Sequence, residues 1–206
     1  AFNKEGIAVT VNKDTGETEM FGFNYLKTDG NYYIYENENY IPYGFSYDYY
    51  ITHSFLEEYQ GSLRVNMLLK AMLLNDEQIK KYGHLMQNIE DIDYDYMENM
   101  VGTRLDISDD DLAYDASQLK LTAAESFKTD KNGFTATVSR EKESLVFFSI
   151  PYDKGWTATV NGEKADIEKV NVGFMTVLVG EGEHTVRFEY TAPGLKAGII
   201  TTASAS

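Results

Sequence analysis

Over residues 1–50 the apolar positions alternate with polar ones in short pieces. "GIAVTV" leads into the turn "NKDTGE", and "YYIYENENYIPYGFSYDYYI" follows after a second turn at Asp29-Gly30. Period-two alternation between clusters of turn formers predicts short half-buried strands. From Ser54 the period changes. "SFLE" has the form of a capping box, with Ser54 capping and Glu57 reaching back. "SLRVNMLLKAMLL" then places Leu63, Met67, Leu68, Ala71, Met72 and Leu74 on one face, which predicts a single amphipathic helix. Asn75-Asp76 ends that helix and caps a shorter one over "EQIKKYGHLM".

Residues 88–115 are acidic and irregular, and read as a seam between two halves. Beyond it the strand signal returns, over 118–125, 133–139, 144–150, 156–160, 164–170, 174–179 and 183–190. The turns between these strands are "DKNG", "DKG", "NGE" and "GEGE". Asn161-Gly162 is the strongest of these, because both residues accept the positive φ of a two-residue hairpin. The expectation is therefore an α+β chain. Residues 1–115 form a mixed strand and helix subdomain. Residues 116–194 form an antiparallel β-sandwich of about seven strands, on which the first half packs.

Composition supports a packed, β-rich protein: 206 residues, 43% hydrophobic, with Tyr 16 and Phe 11. Net charge of -15 at pH 7 makes the molecule as a whole a polyanion. Nucleic acid is thereby excluded as a partner, and anionic lipid headgroups are disfavoured. With no cysteine there is neither disulfide nor thiolate metal site. The chain opens "AFNKEG" without initiator methionine or signal peptide, and closes "GLKAGIITTASAS", uncharged after Lys196. That tail is shorter than the roughly 20 apolar residues a membrane helix needs. It reads either as the first turns of such a helix or as a frayed terminus.

Catalytic signals are sparse. His53, His84 and His184 share no motif, and the chain has no G-x-S-x-G, no H-E-x-x-H and no phosphate-binding glycine loop. "DIDYDY" (Asp91, Asp93, Asp95) imitates the start of a calcium loop but has Tyr96 where the sixth-position glycine belongs and Gly102 at the twelfth. No metal or cofactor is expected. With "SDDD" at 108–111 the cluster reads as a solvated acidic loop. The tyrosines crowded into 32–50 either plug the core with hydroxyls at the rim or stack on sugar rings. Trp156, the single tryptophan, has the same two readings, with the core favoured.

The C-terminal residues carry a resemblance. "PYDKGW" is an aromatic-Asp-x-Gly-Trp turn, followed by the "VNG" hairpin, a "GFM" strand, "GEH" before an alternating strand, and the exit "YTAPG". Upstream stand "YYIYENENYIPYGFSYDYYIT" and "RVNMLLKAMLL". In this order the motifs resemble the extracytoplasmic C-terminal segment of the YfhO family of bacterial multi-pass membrane proteins, over most of residues 25–198. The resemblance implies an integral-membrane glycosyltransferase that uses polyprenyl-phosphate-linked sugars to decorate cell-surface polymers such as teichoic acid. Its catalytic acid is expected in an early extracytoplasmic loop between membrane helices, outside this chain. It also implies that 195–206 lead into a final membrane helix, that the module lies on the extracytoplasmic face of the cell membrane, and that its partners are a cell-surface glycan or polymer and the membrane-embedded rest of its own chain. Two other readings fit the residues: a stand-alone carbohydrate-binding β-sandwich, and a structural module of envelope assembly. Should the chain touch sugar, the expected contacts are Trp156 and Tyr152 as stacking faces, with Asp153 and Asn161 hydrogen-bonding from the same end of the sandwich.

Overall fold

The computed structural model describes residues 22–92 and 109–194, with strand pieces at 2–3, 10–11 and 18–19. Those pieces are β1 (Phe2–Asn3), β2 (Thr10–Val11) and β3 (Thr18–Glu19). β1 adds an edge to the antiparallel hairpin of β4 (Phe23–Asp29) and β5 (Tyr32–Asn37), which turns at Gly30 with φ +56°. The hairpin keeps most of its side chains in solvent. Tyr25 packs edge-on against Tyr33 and Tyr35, at 6.3 and 5.8 Å between ring centres.

A small parallel α/β unit follows: β6 (Tyr49–Ile51), α1 (His53–Glu57), α2 (Ser62–Lys70), β7 (Ala71–Leu73), α3 (Asp76–Tyr82) and β8 (Gln87–Asn88). β6 lies between β7 and β8, parallel to both. Parallel pairing needs crossover connections, which the helices supply. After α4 (Asp109–Leu121) come eight antiparallel strands: β9 (Ser126–Thr129), β10 (Gly133–Arg140), β11 (Ser144–Pro151), β12 (Trp156–Val160), β13 (Glu163–Ala165), β14 (Glu168–Val170), β15 (Phe174–Val179) and β16 (Gly182–Tyr190). They form a five-stranded sheet, β13-β12-β16-β10-β9, facing a three-stranded one, β11-β15-β14. Phe134, Val138, Phe188 and Val186 from the first sheet interdigitate with Val146, Phe148, Met175 and Val177 from the second.

The three-stranded sheet has a second apolar face, formed by Leu145, Phe147, Val170, Phe174 and Leu178. The α/β unit covers it with Phe45, Tyr47, Met72, Leu74 and Tyr82. The protein thus has three layers: sheet, sheet and α/β unit. This explains why β11 reads "SLVFFSIP", a continuous buried run over Leu145–Phe148, instead of alternating.

The α+β class holds, and Asn75 caps α3 through a full capping box with Gln78. Several local expectations are corrected. Thr52, not Ser54, caps α1, accepting from the Phe55 amide. The long helix stops at Lys70. Ala71 is extended (φ −136°, ψ 144°), and Ala71–Leu73 form a fully buried strand, because an all-apolar run has no period to separate buried helix from buried strand. The expected strand at 118–125 is instead the end of α4, whose Leu112, Ala116 and Leu119 recur at helical spacing. β9 forms at 126–129, and the run 164–170 is split between the two sheets as β13 and β14.

Candidate functional site

Antiparallel register sorts the sandwich turns into two ends. One end carries the turns at 130–132, 151–155 and 171–173 and the chain leaving Tyr190. The other carries those at 141–143, 161–162 and 180–181. The first, the exit end, is stitched by Tyr190 N donating to Asn132 O at 2.7 Å, Thr191 N to Gly155 O at 2.9 Å and Tyr152 N to Gly173 O at 2.7 Å.

A cleft of about 450 Å³ opens at this end. Aromatic rings run along its floor in sequence of contact. Tyr43 stacks on Phe127 (4.5 Å), Phe127 tilts on Phe134 (5.0 Å), Phe134 meets Trp156 edge-on (5.8 Å), and Trp156 tilts on Tyr190 (5.1 Å). Phe134 is buried, Tyr43, Phe127 and Trp156 are half-buried, and Tyr190 is exposed. Gly155 allows the close approach of β12 to the exit strand, since a Cβ there would sit 2.5 Å from Thr191 O and 2.7 Å from the Tyr190 ring. Asp130, Lys131 and Asn132 form a polar rim.

The carboxylates at this end are already engaged. Asp130 accepts from both Arg187 guanidinium nitrogens, at 2.6 and 3.1 Å, and from the amides of Asn132 and Gly133. Arg187 foremost, helped by the amides, holds Asp130 below the ordinary carboxylate range. Asp153 accepts from the Gly155 amide at 2.7 Å. Burial, and then the charge and hydrogen bond of Asp153, push the Tyr190 phenol up. What remains is a stacking surface with a polar edge, suited to binding.

Of the expected sugar contacts, Trp156 lies in the cleft, and the exposed Tyr152 and Asp153 lie on the adjoining turn. Asn161 does not join them. It stands at the opposite end of β12, five strand residues or about 16 Å away. There its positive φ (53°) makes the hairpin turn, its side chain accepts from the Thr185 amide at 2.9 Å, and its amide nitrogen lies 2.9 Å from His184 Nδ1. The expectation of one shared end fails for this residue because β12 runs its full length between Trp156 and Asn161. Tyr43 was anticipated only as one of the 32–50 tyrosines, and Phe127 and Tyr190 were not anticipated. The alternation around Phe127 and Tyr190 marks strands, but only the register brings them beside Trp156. Of the 32–50 tyrosines, Tyr47 is buried as a core plug, whereas Tyr32 and Tyr40 are exposed.

On β14, Glu168 clamps α3 to the sandwich, accepting from Tyr82 at 2.8 Å, Lys81 at 3.1 Å and Gln78 at 3.3 Å. Burial opposes its charge, but these three donors prevail and hold the carboxyl below its usual range. His53 and His84 are exposed and His184 is half-buried. Among the described residues no three His, Asp or Glu side chains converge as a metal site. Of the acidic stretch, Asp93, Asp95 and Ser108 lie outside the described residues.

Residues 103–202 match the family described as "Bacterial membrane protein YfhO". A protein of Bacillus subtilis (strain 168), described as "Uncharacterized protein YfhO", is 29% identical over 83 residues, which is 40% of this chain and 10% of that protein's length. No solved structure matches. No helix among the described residues is long and apolar enough to cross a membrane.

Proposed function

We propose, from the match of residues 103–202 to the family of bacterial membrane proteins described as YfhO, that this chain is part of a protein of that family and forms an extracytoplasmic, non-catalytic module of a membrane-embedded glycosyltransferase that decorates cell-surface polymers. The observation that carries the reading is the extent of the match. It spans the whole sandwich and runs past the last strand, ending at Tyr190, to residue 202. In this reading the sandwich stands outside the bilayer; residues 195–206, expected to lead into a membrane helix, lie outside the described residues. In this reading the catalytic acid stands in an extracytoplasmic loop between membrane helices outside this chain, while Asp130 and Asp153 at the exit end bond to Arg187 and to backbone amides.

The test is topological. The chain holds no cysteine, so single cysteines at exposed Lys142 and Glu183, in a full-length protein freed of others, should react with a membrane-impermeant maleimide on intact cells. Labelling only after lysis would overturn the reading. The purified chain should also turn over no polyprenyl-linked or aryl sugar, and turnover would show a catalytic site within it.

The aromatic cleft favours a second reading, direct glycan contact. A pyranose face would stack on Trp156 or Tyr190 while Asp153 and Asn132 take hydroxyls. Stacking alone supports only about millimolar affinity, roughly 4 kcal/mol. Chemical-shift changes in the cleft with added oligosaccharide would support it, and their absence at high millimolar sugar would exclude it.

A further inference from the structure

We infer that the exit end of the sandwich rests on the lipid bilayer, with Trp156, Tyr190 and Tyr152 at headgroup depth and Lys131 and Lys154 reaching lipid phosphates. Several independent features of this end point the same way. It carries the only tryptophan together with two exposed tyrosines, at 40% for Tyr190 and 39% for Tyr152. Rings with an apolar body and a polar tip settle at the membrane–water interface. Val172, on the neighbouring turn, is 70% exposed and holds φ +70°. A β-branched residue rarely adopts that backbone, and strain of this kind persists where the surroundings impose it. Here it presents an apolar side chain outward from the same end.

Charge is distributed to match. The net charge of -15 disfavours anionic lipid for the molecule as a whole, but the exit-end turns set Lys131 and Lys154 against Asp130 and Asp153, and Asp130 is already neutralised by Arg187. The far-end turns carry Glu141, Glu143 and Glu181, with Lys142 among them, and Glu183 follows at the start of β16. The acidic end points away from the surface that the balanced end approaches, and screening beyond roughly 10 Å confines repulsion to the near turns. The chain also leaves at this end. Thr191 N bonds Gly155 O, and the family match continues from there to residue 202. This last support rests on the proposed function, whereas ring placement and charge do not.

Trp156 is a built-in reporter, because no other tryptophan contributes emission. The chain, tethered by a C-terminal hexahistidine tag to phosphatidylcholine vesicles containing nickel-chelating lipid, is compared with the same chain tethered N-terminally. C-terminal tethering should shift Trp156 emission to the blue, and lipid brominated near the headgroup should remove more than half of its intensity. Moving the reporter to the far end, with Trp156→Phe and Glu181→Trp, should abolish the quenching. Lys131→Glu with Lys154→Glu, both exposed, should reduce it on vesicles containing phosphatidylglycerol. Equal quenching from both tethers, or none from either, would overturn the inference. A blue shift with soluble oligosaccharide but no quenching by brominated lipid would also overturn it and assign the cleft to glycan. Cysteines that label only from the cytoplasm would sink the proposed function while leaving the vesicle result to stand.

Discussion

Trp156 illustrates what a single residue can and cannot declare. Its turn, "PYDKGW", marks the start of a strand, and β12 begins at this residue. Its surroundings could not be read from neighbours in sequence, because Phe134, Phe188 and Tyr190 reach it from strands more than twenty positions away. The alternatives of core plug and platform turn out to describe two sides of one ring: an inner edge against Phe134 and Phe188, and an outer side along the cleft with Tyr190. Trp156→Ala should therefore cost about 2–3 kcal/mol, less than the 3–5 typical of a fully buried tryptophan. Urea unfolding followed by circular dichroism measures this. A loss at the full-burial level would show that the cleft closes in solution. Trp156→Phe should recover most of the stability, since the inner edge contacts persist.

At the scale of elements, start signals were more legible than ends. Asn75 with Gln78 announces α3 because a capping box is local chemistry. The switch from α2 into β7 at Ala71 was invisible, because what pulls 71–73 out of the helix is pairing with β6 and a partner nearly a hundred residues on. Asn171, itself at φ +45°, accepts from the Leu73 amide at 2.7 Å and donates to the buried Tyr47 hydroxyl at 3.3 Å. Burial, only partly offset by that bond, pushes the Tyr47 phenol up. Asn171→Gly keeps the backbone conformation but orphans the Leu73 amide and removes one Tyr47 partner, at an expected cost of about 2–3 kcal/mol. Asn171→Ala should cost roughly 1–2 kcal/mol more, because its Cβ disfavours the left-handed region. Equal melts for the two variants would mean that the turn relaxes its φ. α2 and α4 offer a second test. Lys70 Nζ lies 2.7 Å from Asp115 in a nearly dry site, with side chains 4% and 8% exposed. Lys70→Met or Asp115→Leu alone leaves a buried charge and should cost about 3–5 kcal/mol, whereas the double variant should lie close to wild type. Additive losses in that cycle would show that the pair is not coupled.

At the scale of the whole molecule the α+β half packs on the antiparallel sandwich as expected, and what was not legible was the face it covers, although β11 carried a sign of that layer. A run such as "LVFF" requires burial on both sides but does not say what supplies the second side. Glu168 is one of the joints between layers, and its chemistry makes the assembly sensitive to acid. An unfolded glutamate titrates near 4.3, and folded Glu168 titrates lower. Its contribution is therefore complete above the unfolded value and is lost as pH falls through the folded one. Asp130, also lowered, acts in the same direction and the same window. Global charge acts oppositely at higher pH. Net charge of -15 at pH 7 falls to zero near the pI of 4.5, which relieves self-repulsion. Stability should accordingly rise from pH 7 to about 5 and fall steeply below about 4. In Glu168→Gln the rise should remain, the stability at pH 7 should be lower, and the fall below about 4 should be shallower, because one group that drives it no longer titrates. Urea midpoints across this range measure both limbs. A variant whose acid limb overlays that of the wild type would show that Glu168 is not held charged at the joint, and that α3 is fixed to the sandwich by the apolar contacts of Tyr82 and Ile79 and by Gln78 donating to Lys169 O.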